Sequence, residues 1–431
     1  MSNFRIRGFI EGFYGRVWSD EKRRRVLKLV AENGMNAYFY APKDDPFLRQ
    51  KWRSKYDKES LEKFSSLFRF TDEIGISLYY CLSPGLDMSY SSEKDLNVLL
   101  EKFSSIYDLG VRHFGLFLDD IPPKLTHGGD LEKFSSVCEA HIYLINRLSE
   151  LMPGDTELVI CPMQYHGDGS EEYITELCHG IPEDVKVFWT GKKICSPELA
   201  SADAQKFIRH TGRKPLYWDN FPVNDAEMYG DMHIGPYMNR SADLADFSEG
   251  IVSNVMEYPL CSAIPLLTIC DYLSSPESYE PESSFINAVE KVTGDNFEKW
   301  MPFFDHTRYS CLCDCFSVYL SERIGDVYTS LLGDNRENAA KILRGLILQY
   351  EDCSAAMKNS PEIYSELKRW ADRFDEITNI LRCAEAYINS ENETDRITLK
   401  NAMIKYNESA YRLAGFDLRA FVENLVGEFT I

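Results

Sequence analysis

The sequence lacks long hydrophobic runs and has no excess of positive charge. No apolar stretch approaches the roughly 18 residues that a membrane span requires. The 47 Lys and Arg residues are outnumbered by 68 Asp and Glu residues, so the formal net charge is -21. Such a charge repels nucleic acid and anionic lipid surfaces. We therefore expect neither a nucleic-acid partner nor a membrane partner.

Cysteine is present but is not arranged for metal or disulfide chemistry. The 12 cysteines are scattered, and no CxxC pair occurs among them. Cys311, Cys313 and Cys315 lie close together, but on a helix Cys313 would face away from the other two, which argues against a three-ligand metal site. We expect no metal and no cofactor. Because the N-terminus lacks the apolar core of a signal peptide, we also expect free thiols and a cytoplasmic location.

The first part of the chain alternates short apolar runs with amphipathic segments. The apolar runs predict eight strands, at residues 5–11, 36–41, 77–82, 115–120, 157–161, 186–190, 215–220 and 250–255. Helical periodicity occupies intervals between them, for example residues 60–75 and 131–151. Eight strand–helix units in residues 1–275 predict an α/β fold, a (β/α)8 TIM-like barrel.

The rest of the chain, residues 276–431, shows only helical periodicity. Six apolar residues step along it by four and three, as in the seam between packed helices: Trp370, Phe374, Ile377, Leu381, Ala384 and Ile388. This part is predicted to be an all-α helical bundle that follows the barrel. An exposed apolar seam in such a bundle would permit a homodimer.

Polar and aromatic residues collect where the predicted strands end. In a (β/α)8 barrel, the chemistry takes place at the carboxyl ends of the strands. Those positions hold Glu11–Gly12, Lys43–Asp45, Pro84–Gly85, Asp119–Asp120, Gln164–Tyr165, Thr190, Trp218–Asn220 and Asn254. The opposite strand ends offer no comparable set, so we expect the active site at the carboxyl ends.

The residue types in this set limit the class of reaction that the site can catalyse. It contains no glycine run that would hold a phosphate, no His/Asp/Glu set spaced for a metal and no Ser–His pair. Acids, amides, one lysine and aromatic rings suit a sugar, because its hydroxyls make hydrogen bonds and its apolar face packs on rings. We therefore predict a glycosidase.

The segment Gly115–Pro123 places two adjacent acids, Asp119 and Asp120, at the end of a buried strand. The usual pair of glycosidase carboxylates lies about 5 Å or more apart, across the scissile bond. Adjacent acids instead favour attack by the sugar's own 2-acetamido oxygen. One carboxylate then orients the acetamido N–H, and the other protonates the leaving oxygen.

Strand geometry sets a condition on this hypothesis. Successive strand residues face opposite sides of a sheet, so both acids reach one site only if the strand has already ended. Pro122 and Pro123 favour such an ending. The alternative is an Asp that caps a turn beside a solvated neighbour.

Five segments carry a family resemblance. They are GFIEGFYGRVW (residues 8–18), YAPKDD (residues 40–45) with Trp52–Arg53, SPGLD (residues 83–87), FLDDI (residues 117–121) and WDN (residues 218–220). Together, and in this order, they resemble glycoside hydrolase family 84, which includes O-GlcNAcases, β-N-acetylglucosaminidases and bacterial-type hyaluronidases. The resemblance runs through most of residues 4–275.

The resemblance implies a retaining enzyme that removes terminal β-linked N-acetylglucosamine, foremost from Ser or Thr of proteins, through an oxazoline intermediate. Asp119 would hold the acetamido nitrogen, and Asp120 would act as general acid and then as general base. Tyr165 and Trp218 would form the walls of the acetamido pocket. The remaining implied substrate contacts are Asn220 in that pocket, and Gly12 (through its backbone), Lys43, Asp225 and Asn254 at the sugar hydroxyls.

Departures from the family pattern concern the outer cleft. Val17 stands where a proline is common, and Gln164 and His166 flank Tyr165 where animal enzymes differ. Two alternatives to protein deglycosylation remain from the sequence. One is a hexosaminidase that acts on glycans, such as hyaluronan fragments, and the other is a catalytically silent protein that binds N-acetylglucosamine.

Overall fold

The structure is a computed structural model that describes residues 4–294 and 296–426. The chain forms two compact units. The first runs to Asp225 and includes Tyr237–Pro259 and Leu266–Glu280. The second comprises Ala226–Pro236, Leu260–Pro265 and the chain from Pro281 onward. The sequence pattern, which places a single boundary between residues 275 and 276, does not indicate the two short segments of the second unit.

The first unit contains a closed barrel of eight parallel strands. Each strand pairs with its neighbours in chain order, and the eighth closes onto the first. The strands are β1 (Ile6–Glu11), β2 (Ala37–Tyr40), β3 (Ser77–Leu82), β4 (His113–Phe117), β5 (Glu157–Cys161), β6 (Lys186–Trp189), β7 (Leu216–Asp219) and β8 (Gly250–Asn254). The predicted (β/α)8 barrel is confirmed.

Helices connect successive strands. They are α1 (Asp20–Glu32), α2 (Lys58–Glu73), α3 (Glu93–Tyr107), α4 (Gly128–Lys133), α5 (Val137–Leu151), α6 (Glu172–Gly180) and α7 (Ser201–Thr211), with α8 (Pro259–Ser274) after β8. The side chain of Ser19, at the predicted start of α1, accepts a hydrogen bond from the Lys22 N–H. The prediction of one helix over residues 131–151 is wrong. The helix is interrupted between Lys133 and Val137, where Ser136 caps α5 by accepting from the Glu139 N–H.

Alternate strand residues fill the interior of the barrel. The buried cluster there is Ile6, Ile10, Ala37, Phe39, Ala41, Tyr79, Cys81, Phe117, Val159, Cys161, Phe188, Leu216, Trp218 and Val252. Spacing by two within each strand is the alternation expected of a sheet with one face turned into the barrel. The interior is therefore a packed core, and a substrate has room only where the strands end.

The second unit is helical in the part that the structure describes. Its helices are α9 (Pro281–Thr293), α10 (Met301–Phe304), α11 (Val318–Leu332), α12 (Arg336–Lys358), α13 (Pro361–Ser390), α14 (Glu393–Asn407) and α15 (Gly415–Val426). Short 3-10 turns occur in this unit at Ala226–Met228 and Phe297–Trp300, and in the first unit at Leu244–Asp246 and Pro276–Ser278. All six residues of the predicted seam are buried on α13, so the predicted helical bundle is confirmed.

The cysteine cluster does not lie on a helix. Ser310 and Cys313 exchange two backbone hydrogen bonds, of 2.9 and 3.2 Å, in a tight turn between α10 and α11. The described part of the chain contains no group of three or more His, Cys, Asp or Glu side chains arranged to hold a metal ion. Within residues 4–294 and 296–426, no helix combines the length and the apolar composition needed to cross a bilayer.

The helical bundle offers a matched pair of leucines on α12. Leu346 is 3% exposed, whereas Leu348 is 58% exposed. We expect Leu346→Ala to lower the free energy of unfolding by about 2–5 kcal/mol, because it removes buried methyl groups and leaves a cavity. Leu348→Ala should change it by less than about 0.5 kcal/mol. Urea denaturation of the full chain, followed by circular dichroism, measures both. Equal effects of the two substitutions would contradict the packing described.

Candidate active site

Strand β4 ends before the two acids. The prediction that the strand continues through Asp120 is wrong, because β4 stops at Phe117 and only the Leu118 N–H bonds onward, to the Cys161 carbonyl at 2.8 Å. Asp120 then adopts φ of 53°, a left-handed conformation that Asp tolerates better than most residues. This turn satisfies the geometric condition for bringing two consecutive carboxylates to one site.

Most of the predicted site residues continue the inward-facing series of their strands. Lys43 follows Ala37, Phe39 and Ala41 in steps of two, and Asp119 follows Phe117 in the same way. The other members of these series are Gly12 after Ile10, Asn220 after Trp218, and Asn254 after Val252. The barrel thus brings these residues together at the open end of its axis.

Asp119 and Lys43 form a buried ion pair. The Lys43 ammonium donates a hydrogen bond to Asp119 Oδ2, and both side chains are almost fully buried. Burial alone would lower the pKa of Lys43, but the charge and hydrogen bond of Asp119 outweigh it and raise that pKa. The Lys43 Nζ also lies 5.8 Å from the ring centre of Trp218. Lys43 is therefore a fixed cation beside Asp119.

The second oxygen of Asp119 has no partner in the part of the chain that the structure describes. Asp119 Oδ1 is buried and accepts no hydrogen bond among the described residues. A buried carboxylate oxygen without a donor is costly, so such atoms call for an explanation in the chemistry of the site. An N–H group of a bound molecule would satisfy it.

Asp120 is exposed, and each of its oxygens accepts a hydrogen bond from a tyrosine. Tyr14 donates to Oδ2 at 2.8 Å, and Tyr165 donates to Oδ1 at 3.0 Å. Partial burial would raise the pKa of Asp120, but these hydrogen bonds, together with the charges of Lys43 and Arg49, hold it below its ordinary value. Burial raises the pKa of Tyr165 and of Tyr14, so both phenols remain donors near neutral pH. In the substrate-free structure Asp120 is therefore a carboxylate.

Amide groups form the side of the site next to Trp218. Trp218 donates through Nε1 to Asn220 Oδ1 at 2.8 Å, and Asn254 donates through Nδ2 to the same oxygen at 2.9 Å. Asn254 Oδ1 in turn accepts from the Gly12 N–H at 3.1 Å. A Cβ atom at Gly12 would lie 2.5 Å from the Trp218 ring, so only glycine fits there. The backbone at Gly12 is thereby held against the indole.

Comparison with known proteins identifies the family. A profile of the β-N-acetylglucosaminidase family matches residues 7–305. The chain belongs to this family. Membership confirms the resemblance to glycoside hydrolase family 84 and the expectation that the chain is a glycoside hydrolase.

Individual relatives of the β-N-acetylglucosaminidase family extend the comparison. The chain is 31% identical over 253 residues to the protein O-GlcNAcases of Rattus norvegicus and of Mus musculus. That alignment covers 57% of this chain but only 27% of each of those proteins. A solved structure of a mutant Thermobaculum terrenum O-GlcNAc hydrolase is 30% identical, with a TM-score of 0.94 over 98% of this chain and 95% of that one.

Two residues that contact Asp120 were not predicted from the sequence. Tyr14 lies in a segment used for the family resemblance but was assigned no role, and it bonds Asp120 directly. Arg49 donates to the Tyr14 hydroxyl at 2.6 Å and to the Asp120 carbonyl at 3.2 Å. Asp225, a predicted sugar ligand, accepts from the Tyr14 backbone N–H at 2.7 Å, and burial raises the pKa of its carboxyl. Tyr14 therefore links the predicted acid to a predicted substrate contact.

The two tyrosines predict how Asp120 titrates. We expect Tyr165→Phe to raise the pKa of Asp120 by about one unit, because the carboxylate loses a hydrogen-bond donor. NMR of protein labelled with 13C at the Asp carboxyls measures this, with Asp120→Asn used to assign the signal. Tyr143→Phe is the control, since it removes a hydroxyl from α5, where the contact is a 3.4 Å hydrogen bond to Glu93. Equal titration of Asp120 in wild type and Tyr165→Phe would show that this bond does not form in solution.

Proposed function

We propose that the chain is a retaining β-N-acetylglucosaminidase that removes terminal β-linked N-acetylglucosamine from Ser or Thr of proteins by substrate-assisted catalysis. The observation that carries the proposal is the pair of consecutive aspartates at the end of β4. One is locked to Lys43 with a buried oxygen free, and the other is exposed between two tyrosines. The first suits an amide N–H, and the second suits the oxygen of a leaving group.

In the first step, the acetamido oxygen attacks the anomeric carbon as the glycosidic bond breaks. Asp119 Oδ1 accepts the acetamido N–H, which orients the amide and stabilises the positive charge that develops on it. Asp120 gives its proton to the departing oxygen. The products are a protonated oxazoline ring on the sugar, whose N–H stays hydrogen-bonded to Asp119, and a free hydroxyl on the aglycone.

In the second step, Asp120 acts as a base. Its carboxylate removes a proton from a water molecule whose oxygen attacks the anomeric carbon, and the oxazoline C–O bond breaks to restore the acetamido group. Two successive inversions at this carbon give net retention. Trp218 and Tyr165 enclose the acetamido group throughout, and Asn220 makes a hydrogen bond in the same pocket. Gly12 (through its backbone), Lys43, Asp225 and Asn254 hold the sugar hydroxyls.

The first step requires a protonated Asp120, whereas the free site favours the carboxylate. A bound sugar and aglycone would exclude water from the exposed Asp120, and desolvation raises the pKa of a carboxyl group. The leaving-group oxygen would also compete with the tyrosines for the Asp120 oxygens. The kcat/KM for a poor leaving group should accordingly fall as the pH rises above the pKa of Asp120 in the free enzyme.

The choice of a protein substrate is supported by the names of the rat, mouse and Thermobaculum terrenum relatives. Because the chain spans about a quarter of the two curated relatives, their activity is carried over only as part of this proposal. A cytoplasmic setting also belongs to the proposal, since all 12 cysteines are free thiols. The experiment that decides the substrate is release of N-acetylglucosamine by one purified sample from a glycosylated protein and from an oligosaccharide. Faster release from the oligosaccharide would favour the glycan hydrolase.

The acid role of Asp120 gives a prediction that depends on the leaving group. Asp120→Asn should lower kcat/KM on an alkyl β-N-acetylglucosaminide by about 10²–10⁴-fold, because that leaving group needs a proton. On an aryl glycoside with a very acidic phenol the loss should be far smaller. Asp184→Asn, an exposed aspartate between α6 and β6, is the control and should behave as wild type on both. Wild-type activity of Asp120→Asn on the alkyl substrate would refute the assignment.

Asp119 should behave differently, because it acts on the nucleophile. We expect Asp119→Asn to lose a similar factor on both leaving groups, and we expect the wild type not to cleave the matched β-glucoside, which has a hydroxyl in place of the acetamido group. Steady-state kinetics measures this, with wild type and Asp119→Asn on both leaving groups and with wild type on the β-glucoside. Equal turnover of the β-glucoside would exclude substrate assistance. A wild type that binds an oxazoline mimic but cleaves nothing would identify the silent binding protein.

A further inference from the structure

The backbone of Asp120 has an unusual conformation that neighbouring residues must stabilise. Its place in the alternation that starts on β4 would point the side chain away from the barrel axis, on the opposite side from Phe117 and Asp119. The positive φ of 53° turns it back, at a steric cost that a non-glycine residue incurs. Such a conformation persists only where surrounding contacts determine it.

Arg49 makes contacts that stabilise the conformation of Asp120. Its guanidinium, on a buried side chain, donates through one nitrogen to the Asp120 carbonyl at 3.2 Å and through another to the Tyr14 hydroxyl at 2.6 Å. The Tyr14 hydroxyl then donates its own proton to Asp120 Oδ2 at 2.8 Å. The guanidinium carbon also lies 5.6 Å from the centre of the Tyr14 ring. One planar cation therefore holds both ends of the residue, its carbonyl directly and its carboxylate through Tyr14.

The groups around the Asp120 carboxylate come from five loops. The loop after β1 supplies Tyr14, the loop after β2 supplies the cations Lys43 and Arg49, and the loop after β5 supplies Tyr165. Asp119 precedes it on its own loop, and Asp225, after β7, is close enough for the two negative charges to interact. Among these groups, Arg49 is the one that contacts both the backbone of Asp120 and a donor to its side chain.

We propose that Arg49 is a positioning residue for the general acid, which holds Asp120 in the left-handed turn and directs the Tyr14 hydroxyl onto its carboxylate. This inference rests on the proposed function, because its kinetic tests assume that Asp120 is the general acid. It concerns a residue outside the sugar contacts and outside the pair of acids. Arg49 touches neither the sugar ring nor the acetamido group in this assignment, so its loss should be felt only through Asp120.

Two substitutions separate the charge of Arg49 from its geometry. Arg49→Met removes both, whereas Arg49→Lys keeps a positive charge but lacks the planar fork that reaches two acceptors at once. We expect both to lower kcat/KM on an alkyl N-acetylglucosaminide by about 10–100-fold, because a misplaced acid transfers its proton poorly. On an aryl glycoside with a very acidic phenol, the loss should stay below about threefold. Arg209→Met, an exposed arginine on α7, is the control.

The pH profile provides a readout that a purely structural role would not change. Arg49→Met should move the alkaline limb of kcat/KM to higher pH, because Asp120 loses a nearby cation and an ordered donor and so holds its proton more tightly. Arg49→Lys should leave that limb close to its wild-type position. An unchanged profile in Arg49→Met would overturn the inference.

A double mutant tests whether Arg49 acts through Asp120. In an Asp120→Asn background, Arg49→Met should cost less than about threefold further, since the acid it positions is already absent. The same fractional loss in both backgrounds and on both substrates would overturn the inference and indicate general damage to the barrel.

A wild type that cleaves neither substrate would refute the proposed function instead. The NMR titration of Asp120 then decides the inference alone, and an unchanged pKa in Arg49→Met would overturn it.

Discussion

The buried ion pair between Lys43 and Asp119 is the interaction on which the rest of the site depends. Two charges are taken out of water there, which costs more than their mutual attraction returns unless the geometry is good and the remaining atoms are satisfied. One oxygen of Asp119 is left unsatisfied. An unsatisfied oxygen makes the pair a weak source of stability and leaves an acceptor for a bound molecule. The Lys43 ammonium fixes one oxygen of Asp119 and leaves the other able to accept a hydrogen bond from an N–H group.

The barrel makes this pair possible by its strand order. Lys43 follows β2 and Asp119 follows β4, so the two charges reach across the end of β3. The inward-facing residue of β3 near them is Cys81, whose small side chain leaves room for the contact. Burial raises the pKa of this thiol well above its ordinary value, and the nearby charges of Lys43 and Asp119 act on it as well. A neutral, compact residue below the pair thus avoids a third charge in the site.

Much of the fold and of the site follows from period-two patterns that are visible in the sequence. The strands fall close to their predicted positions, and β3 and β5 fall on the predicted residues. Gly12, Lys43, Asp119, Asn220 and Asn254 lie on the inward-facing side because each extends an alternation that begins in the core. Local sequence is sufficient for these residues because, in a closed parallel barrel, every second residue of a strand faces the barrel axis. The functional roles of these residues remain predictions.

Other features depend on loop paths that local sequence does not determine. Asp120 breaks the alternation through a left-handed turn, and nothing in the apolar run before it indicates that turn. Arg49 reaches Asp120 across 71 residues of chain, so its role appears only when the loops after β2 and β4 are placed together. The interruption between α4 and α5 was missed because helical periodicity continues across it, while the cap at Ser136 starts a new helix.

The amide side of the site has a consequence for its behaviour across pH. Trp218, Asn220, Asn254 and the Gly12 backbone are joined by hydrogen bonds between groups that gain or lose no proton in the physiological range. Acidification that alters the charge of Asp120 leaves this framework intact. In the proposed mechanism, the groups that shape the cavity are thus separate from the group that supplies the proton, so turnover would be lost at an unfavourable pH while the affinity for the sugar is kept.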